Sequence, residues 1–405
     1  MSIKELPAPF HSRRYTSNWR IAFGCLLFSL FAQLAAAGPD AKPPATPEFA
    51  FWYEGWGSDT WAKLQPANTI IGVPPEALAD IHAHGGRALR YVTFYQARFG
   101  STFLHDEADL DNVGFHTKQG FLQSAFGGKD NYVLCSNSME LSRRVMLYVE
   151  QTIRHDGYDG IFIDNAYQPP ASEEVCDAKH SHGSPGSKGG PAYVNLLAKV
   201  SAWIRKDAPA ATMVIVNAGN PNAADALNNG ETSLWDVTDY ALWESYAFSS
   251  QTGIAHDRTE ATITQSKTIA SSSHASKVLA LSYPRNYEEA IFSFAMAEVF
   301  GFQYAANLGE KDVGTGREGG HFGLFLRDLP PRLGFPKSEL QQVPGTNILQ
   351  RNFATGDVVI NLDSRPWLFR SSRKGVLYSK NGSSRTQQGT QIELAPLSAA
   401  VIVFD

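Results

Sequence analysis

Short, almost uninterrupted apolar runs recur along the chain and alternate with longer segments of mixed polarity. Runs that are apolar at consecutive positions are typical of parallel strands that are covered on both faces. Eight such runs are predicted as strands, at residues Phe49–Glu54, Thr69–Val73, Ala88–Phe94, Tyr158–Asp164, Thr212–Asn217, Tyr240–Glu244, Lys277–Ser282 and Phe302–Ala306.

The segments between these runs carry helical periodicity. Leu141, Val145, Val149 and Ile153 are spaced four apart, which places them on one face of a helix. A second apolar stripe begins at Tyr193, and a third spans 288–300 and ends before a glycine. Eight strands with intervening helices over about 260 residues match the size of a (β/α)8 TIM barrel. A doubly wound open α/β sheet is the alternative, because the first helices are weakly patterned.

The pattern changes at about residue 346. Short apolar stretches separated by Gly, Ser and Asn turns predict a small antiparallel β-domain, with strands at Val358–Asn361, Gly375–Tyr378, Gln391–Leu394 and Ala399–Phe404. The predicted organisation is a signal peptide at 1–37, a linker at 38–48, a (β/α)8 barrel at 49–343 and a β-sandwich-like domain at 346–405.

The first residues have the pattern of a secretory signal. Four basic residues precede an apolar stretch at 21–34, and three alanines follow it. The stretch is shorter than the roughly 20 apolar residues of a membrane-spanning helix, so we expect cleavage and export to the periplasm or the extracellular space, with no stable membrane insertion afterwards. The formal net charge of −5 gives no indication of a nucleic-acid partner.

Two predicted barrel strands end in a carboxylate. Asp164 closes the fourth strand and Glu244 closes the sixth. In a barrel of this kind the active site lies at the carboxyl ends of the strands, so both side chains are expected at its mouth. Two carboxyl groups facing one another are what glycoside hydrolysis needs, because one protonates the leaving oxygen while the other attacks the sugar or activates water. The alternative for each acid is a structural ion pair.

The segment 157–165, GYDGIFIDN, is similar to the fourth-strand signature of several glycosidase families. It most resembles glycoside hydrolase family 114, the endo-α-1,4-polygalactosaminidases, and related uncharacterised glycosidase barrels. The resemblance implies that Asp164 is the nucleophile and that Glu244, in Trp243-Glu-Ser-Tyr246, is the acid/base. It also implies that Asp159 fixes the turn into the strand. The fifth strand departs from the family pattern, because Asn217-Ala-Gly-Asn220 carries no carboxylate.

Other residues near the predicted strand ends have side chains that suit a sugar. Aromatic faces stack on sugar rings, and amides, hydroxyls and charged groups bind ring hydroxyls. The predicted substrate-binding residues are Trp52, Tyr53, Glu54, Tyr95, Asn165, Tyr167, Asn217, Tyr246, Tyr283, Arg285 and Asn307.

Cys135 and Cys176 remain after removal of the predicted signal. Their spacing matches no zinc motif, and an exported pair can form a disulfide, so we expect a disulfide between two loops. His180 and His182 lie in a loop rich in Gly and Ser, with Asp177 nearby. A solvated loop is favoured there over a metal site, and neither a metal nor a cofactor is expected.

The sequence therefore predicts an exported glycosidase that cleaves an extracellular or cell-envelope polysaccharide or oligosaccharide. The family resemblance implies retention of configuration, and the residues themselves leave inversion open. A non-catalytic barrel that binds polysaccharide during export or assembly is the principal alternative. A transglycosylase using the same two acids is the third.

Overall fold

The computed structural model describes residues 49–51, 68–124, 128–166, 173–220, 222, 228–249, 257–306, 333–334 and 336–405. The predicted signal peptide at 1–37 and linker at 38–48 lie outside these residues. Eight parallel strands close into a barrel, as the sequence predicts. They are β1 (Phe49–Phe51), β2 (Thr69–Ile71), β3 (Arg87–Val92), β4 (Gly160–Ile163), β5 (Met213–Asn217), β6 (Tyr240–Trp243), β7 (Val278–Ser282) and β8 (Gln303–Ala306).

Each strand of the barrel pairs with its sequence neighbours, and β1 closes the ring on β8 through the register Phe49 to Ala305. Alternate side chains point inward and fill the interior. This inner cluster contains Phe49, Phe51, Ile71, Leu89, Phe162, Met213, Ile215, Leu242, Leu279, Leu281 and Ala305. Each large apolar side chain buried in this way contributes roughly 1.5–3 kcal/mol, so the interior is a packed core.

Helices cover the outside of the barrel. They are α1 (Leu78–Ala83), α2 (Leu110–Val113), α3 (Met139–Glu150), α4 (Gly189–Asp207), α5 (Leu234–Val237), α6 (Thr259–Ala270) and α7 (Tyr287–Phe300). Short 3-10 turns lie at Pro75–Ala77 and Ala275–Lys277, and a π-helical turn at Gln151–His155 extends α3. None of the described helices combines the length and the apolar character needed to cross a bilayer.

A long insertion separates β3 from α3. It contains α2 and two short antiparallel ladders, Gln96–Arg98 with Asn131–Val133 and His116–Thr117 with Gly120–Phe121. A buried ion pair attaches it to α3, because Arg144 Nη2 donates to Asp109 Oδ1 at 2.8 Å. The Arg144 guanidinium holds the pKa of Asp109 well below its usual range.

The C-terminal part is an antiparallel β-domain. Its strands are β9 (Gln341–Gln342), β10 (Ile348–Asn352), β11 (Gly356–Asn361), β12 (Trp367–Arg370), β13 (Gly375–Ser379), β14 (Gly382–Thr386), β15 (Gln391–Leu394) and β16 (Ser398–Phe404). Six of them form a sheet in the order β9-β10-β11-β16-β13-β14, and β12 pairs with β15. Four of these strands, β11, β13, β15 and β16, are predicted from the sequence, whereas β9, β10, β12 and β14 are not.

The helix α7 lies between the barrel and the C-terminal sheet. The Asn286 side chain caps its first turn by accepting from the Glu289 amide at 2.9 Å, and Gly301 ends it with a φ of 81°. Its residues are buried on nearly all sides, which explains why it is apolar all round. Val358 and Val401 of the sheet share the core on this side.

Candidate active site

Among the described residues, five polar side chains lie in the layer above the apolar interior of the barrel. Each comes two residues after an inward-facing apolar residue, so strand alternation turns it toward the same axis. The five are Tyr91, Asp164, Asn217, Glu244 and Tyr283. They come from the carboxyl ends of β3 to β7, where barrels of this class place their chemistry.

Asp164 is the most heavily hydrogen-bonded of these groups. The Tyr91 hydroxyl and the Asn165 side-chain amide donate to Oδ2, the amide at 2.6 Å. The Asn217 amide donates to Oδ1 at 2.9 Å. Three donors directed at one carboxylate stabilise its negative charge.

Asn217 joins the two candidate acids. Its Nδ2 atom donates both to Asp164 Oδ1 and to Glu244 Oε2, each at 2.9 Å. The two carboxylate oxygens can therefore lie no more than about 6 Å apart, within the range of separations that glycosidases use. The amide orientation is fixed in turn, because Asn217 Oδ1 accepts from the Gly219 backbone amide at 2.9 Å.

Glu244 has a second donor on its other oxygen. The Tyr283 hydroxyl, from the end of β7, donates to Oε1 at 3.1 Å. Glu244 is partly exposed, whereas the preceding Trp243 is buried on the outer face of β6. Within the described residues the two acids thus differ in setting, since three side-chain donors contact Asp164 and two contact Glu244.

The backbone turns sharply behind both acids. Asn165 has a φ of 56° and Ser245 a φ of 60°, in the left-handed region that residues other than glycine seldom adopt. Conformations of this kind are held in place by surrounding structure and concentrate at functional sites. At both strand ends the turn directs the chain away while the carboxylate stays at the mouth.

The other residues of the GYDG segment have structural roles. Gly157 has a φ of 83°, and a Cβ on Gly160 would lie 2.4 Å from the Met213 carbonyl oxygen of β5. Asp159 accepts from the Ala88 backbone amide at 2.8 Å, which confirms its predicted place at the entry to β4. The segment therefore combines close strand packing at one end with Asp164 at the other.

Several predicted substrate-binding residues have a different place in the structure. Tyr95 and Tyr246 are 1% and 0% exposed and belong to the hydrophobic core. The prediction that they bind substrate is therefore wrong, because their rings are not accessible to a sugar. The Tyr246 hydroxyl faces Ser266 at 3.4 Å, and burial raises the pKa of this phenol. Arg285 is exposed at the start of α7, and no side-chain contact joins it to Asp164 or Glu244 among the described residues. Five more predictions lie outside the described residues, at Trp52, Tyr53, Glu54, Tyr167 and Asn307.

The remaining predicted substrate-binding residues lie at the site, where their side chains form hydrogen bonds to the two acids. Asn165, Asn217 and Tyr283 each donate to a carboxylate. Sequence reasoning missed Tyr91, whose side chain is 44% exposed beside Asp164. Counting two residues on from the inward Leu89 would have identified it.

The predicted disulfide is absent. Cys135 and Cys176 are both buried free thiols, although their sulfur atoms lie within 4.8 Å of each other. One ring nitrogen each of His180 and His182 lies within the same distance of both sulfur atoms.

Comparisons with known proteins agree with the geometry. The model of a family described as hypothetical glycosyl hydrolase family 15 matches residues 147–357. No match was found among curated proteins. An Anoxybacillus α-amylase structure has a TM-score of 0.52 at 11% identity over 89% of this chain and 98% of that chain. A structure described as a family GH13_31 enzyme has a TM-score of 0.51 at 12% identity over 89% and 99%.

The glycoside hydrolase domain of PelA from Pseudomonas aeruginosa has a TM-score of 0.44 at 14% identity, over 64% of this chain and 94% of that chain. The amylase and GH13_31 likenesses show the barrel fold. The resemblance to glycoside hydrolases is confirmed by the family match, whereas the narrower resemblance to family 114 stays a prediction.

Proposed function

Because the chain belongs to hypothetical glycosyl hydrolase family 15, we propose that it is a glycosidase in which Asp164 and Glu244 are the reacting carboxylates. The observation that carries the proposal is the Asn217 amide, which holds an oxygen of each acid 2.9 Å from one nitrogen. Two facing carboxylates at the mouth of a barrel are suited to cleavage of a glycosidic bond.

The hydrogen bonds favour different roles for the two acids. Asp164, with three donors, is the nucleophile: an oxygen of its carboxylate forms a bond to the anomeric carbon as the glycosidic C–O bond breaks. Glu244 transfers its proton to the departing oxygen. Glu244 then takes a proton from water, and the hydroxide so formed displaces Asp164 from the sugar.

Retention of configuration follows from this sequence of two displacements. A separation of roughly 5–5.5 Å is typical of retaining enzymes, and inverting enzymes need about 6.5–9.5 Å to fit a water molecule. The shared Asn217 donor keeps the nearest oxygens at the short end of this range. Tyr91 adds an exposed aromatic face beside the nucleophile, on which a sugar ring can stack.

The proposed substrate is an extracellular or cell-envelope polysaccharide. The signal-like pattern of residues 1–37 supports export, and mass spectrometry of the mature N-terminus in secreted fractions tests it.

The principal experiment measures release of reducing ends from a panel of bacterial polysaccharides. Asp164→Asn and Glu244→Gln are each expected to reduce the rate by at least a thousandfold, since each removes a group that makes or breaks a bond. Asp130→Asn and Glu393→Gln are matched controls, because both side chains are exposed and distant in sequence from the site. Binding of a glycan that neither wild type nor variant ever cleaves would identify a non-catalytic barrel.

Azide rescue of alanine variants distinguishes the nucleophile from the acid/base residue. With an activated glycoside, Asp164→Ala plus azide should give a glycosyl azide of inverted configuration. Glu244→Ala plus azide should give the retained configuration, because the nucleophile is still present. The opposite pairing would exchange the two roles, and inversion by the wild-type enzyme would refute retention.

A further inference from the structure

Four side chains with metal-binding atoms converge on the loop that follows β4. Cys176, His180 and His182 lie in the loop itself, and Cys135 lies just before α3. One ligand atom from each, a sulfur or a ring nitrogen, lies within 4.8 Å of all the others. This convergence differs from the sequence-based expectation of a disulfide between the cysteines and a solvated loop around the histidines.

The arrangement is somewhat wider than a tetrahedral zinc site and would need a small contraction to bind the ion. With metal–sulfur bonds of about 2.3 Å and metal–nitrogen bonds of about 2.0–2.1 Å, the edges of a zinc tetrahedron measure roughly 3.4–3.8 Å. Cys176 Sγ lies 4.0 Å from His180 Nε2, a few tenths of an ångström beyond such an edge. Two sulfurs and two nitrogens in this geometry are the donor set that selects Zn²⁺.

His180 is oriented as a metal-binding histidine. Its Nδ1 atom lies 3.1 Å from the Asp111 carbonyl oxygen, so the Nδ1 proton is donated there. The lone pair then sits on Nε2, which faces Cys176. Metal-bound histidines almost always donate their other ring nitrogen to a carbonyl or carboxylate in this way.

His182 supplies an independent indication. Its Nε2 atom is buried, and it has no hydrogen-bond partner within the described part of the chain. A buried polar atom without a partner carries an uncompensated desolvation cost, and such atoms are rare in folded proteins. Coordination of a metal ion through Nε2 would satisfy it.

Cys176 lies in surroundings that favour a thiolate. The His116 backbone amide donates toward its sulfur at 3.5 Å. The thiolate is the form that binds metals.

We propose that Cys135, Cys176, His180 and His182 bind one Zn²⁺ ion in a closed structural site. Four protein ligands leave no position for substrate or water, so the ion would have no part in the chemistry at Asp164. Its role is to attach the loop after β4 to the segment that begins α3.

The proposed metal site would hold in place a loop that directly follows the candidate nucleophile. The loop begins directly after Asp164 and Asn165, and its described residues 173–188 form no helix or strand. Backbone contacts already hold it to the start of α3, from Met139 N to Ser181 O at 3.0 Å and from Gly183 N to Asn137 O at 2.8 Å. A metal ion beside these contacts would add a strong link close to one wall of the mouth.

The alternative to metal binding is a disulfide bond between Cys135 and Cys176. A disulfide would use the two sulfurs and leave the His182 Nε2 atom buried without a partner. The metal ion uses all four groups, and for this reason we favour it.

The test is the metal content of the full chain, purified without chelators and under reducing conditions. Inductively coupled plasma mass spectrometry is expected to find one zinc per chain. Replacement by Co²⁺ should give a sulfur-to-cobalt charge-transfer band in the near ultraviolet and the intense visible bands of tetrahedral cobalt. Both readouts use the wild-type chain, so they do not depend on the folding of a variant.

Variants then locate the ion. Cys135→Ser and His182→Ala should each reduce the zinc content at least tenfold after dialysis against a chelator. His155→Ala is the matched control, because this exposed histidine lies at the end of the π-helical turn away from the cluster, and it should keep the full content.

Absence of zinc from the wild type would overturn the proposal, and so would zinc that persists unchanged in both site variants. In a second preparation made without reductant, a mass two hydrogens below that of the reduced chain, with Cys135 and Cys176 linked in one peptide, would establish the disulfide instead. None of these results depends on the glycosidase proposal, since metal content is measured without substrate.

Discussion

Asn217 is the residue on which the candidate site depends most directly. It is 3% exposed, and its amide donates to both acids. We predict that Asn217→Ala lowers kcat/KM about 100-fold, equivalent to about 3 kcal/mol of transition-state stabilisation. A hydrogen bond to a charged group contributes about 1.5–3 kcal/mol, and two are lost, although part of each also acts in the ground state.

The isosteric variant Asn217→Asp separates hydrogen bonding from shape. It keeps the side-chain volume and the oxygen that accepts from Gly219, but it replaces the shared donor with a negative charge beside the Asp164 carboxylate. At about 4 Å and an effective dielectric constant of about 20, each like-charge contact costs roughly 4 kcal/mol. Asn217→Asp should therefore be more impaired than Asn217→Ala.

The assay is steady-state hydrolysis of the best polysaccharide from the panel, with unfolding in urea to confirm that each variant folds. Asn352→Ala is the matched control, because Asn352 also donates to a carboxylate, Asp357 Oδ1 at 2.6 Å, but does so in the C-terminal sheet. A folded Asn217→Asp enzyme with near-normal activity would refute the reasoning, since only the shape of the side chain would then matter.

Two further predictions concern stability. Asp109→Asn should lower the free energy of unfolding by about 2–3 kcal/mol at pH 7, because the buried Arg144 loses both of its contacts with Asp109 and keeps only Glu140 as an anionic partner among the described residues. The Asp109 pKa is depressed in the folded state, so the wild-type pair contributes fully above about pH 4, the unfolded pKa, and less as the pH falls. The difference from wild type should shrink toward pH 3 in urea unfolding, and a constant difference would contradict this. Gly160→Ala should cost about 1–3 kcal/mol, because its Cβ would lie 2.4 Å from the Met213 carbonyl oxygen; unchanged stability would show that β4 and β5 can separate freely.

The sequence alone determined the barrel and its two acids. Strands buried on both faces need consecutive apolar residues, so the eight runs were visible as local patterns, and all eight are strands. Asp164 and Glu244 could be identified for the same reason, since a carboxylate that ends an apolar strand must emerge at the mouth. The exposed C-terminal strands β9 and β14 were missed because polar residues give them no such pattern.

Only the tertiary structure decided which side chains meet. The bridge from Asn217 to both acids depends on β4, β5 and β6 lying side by side, and the burial of Tyr95 and Tyr246 depends on which way each turn directs them. The cluster of Cys135 with Cys176, His180 and His182 joins segments that are far apart in the sequence. Local periodicity specifies elements because it acts between near neighbours, whereas contacts between distant residues exist only once the chain has folded.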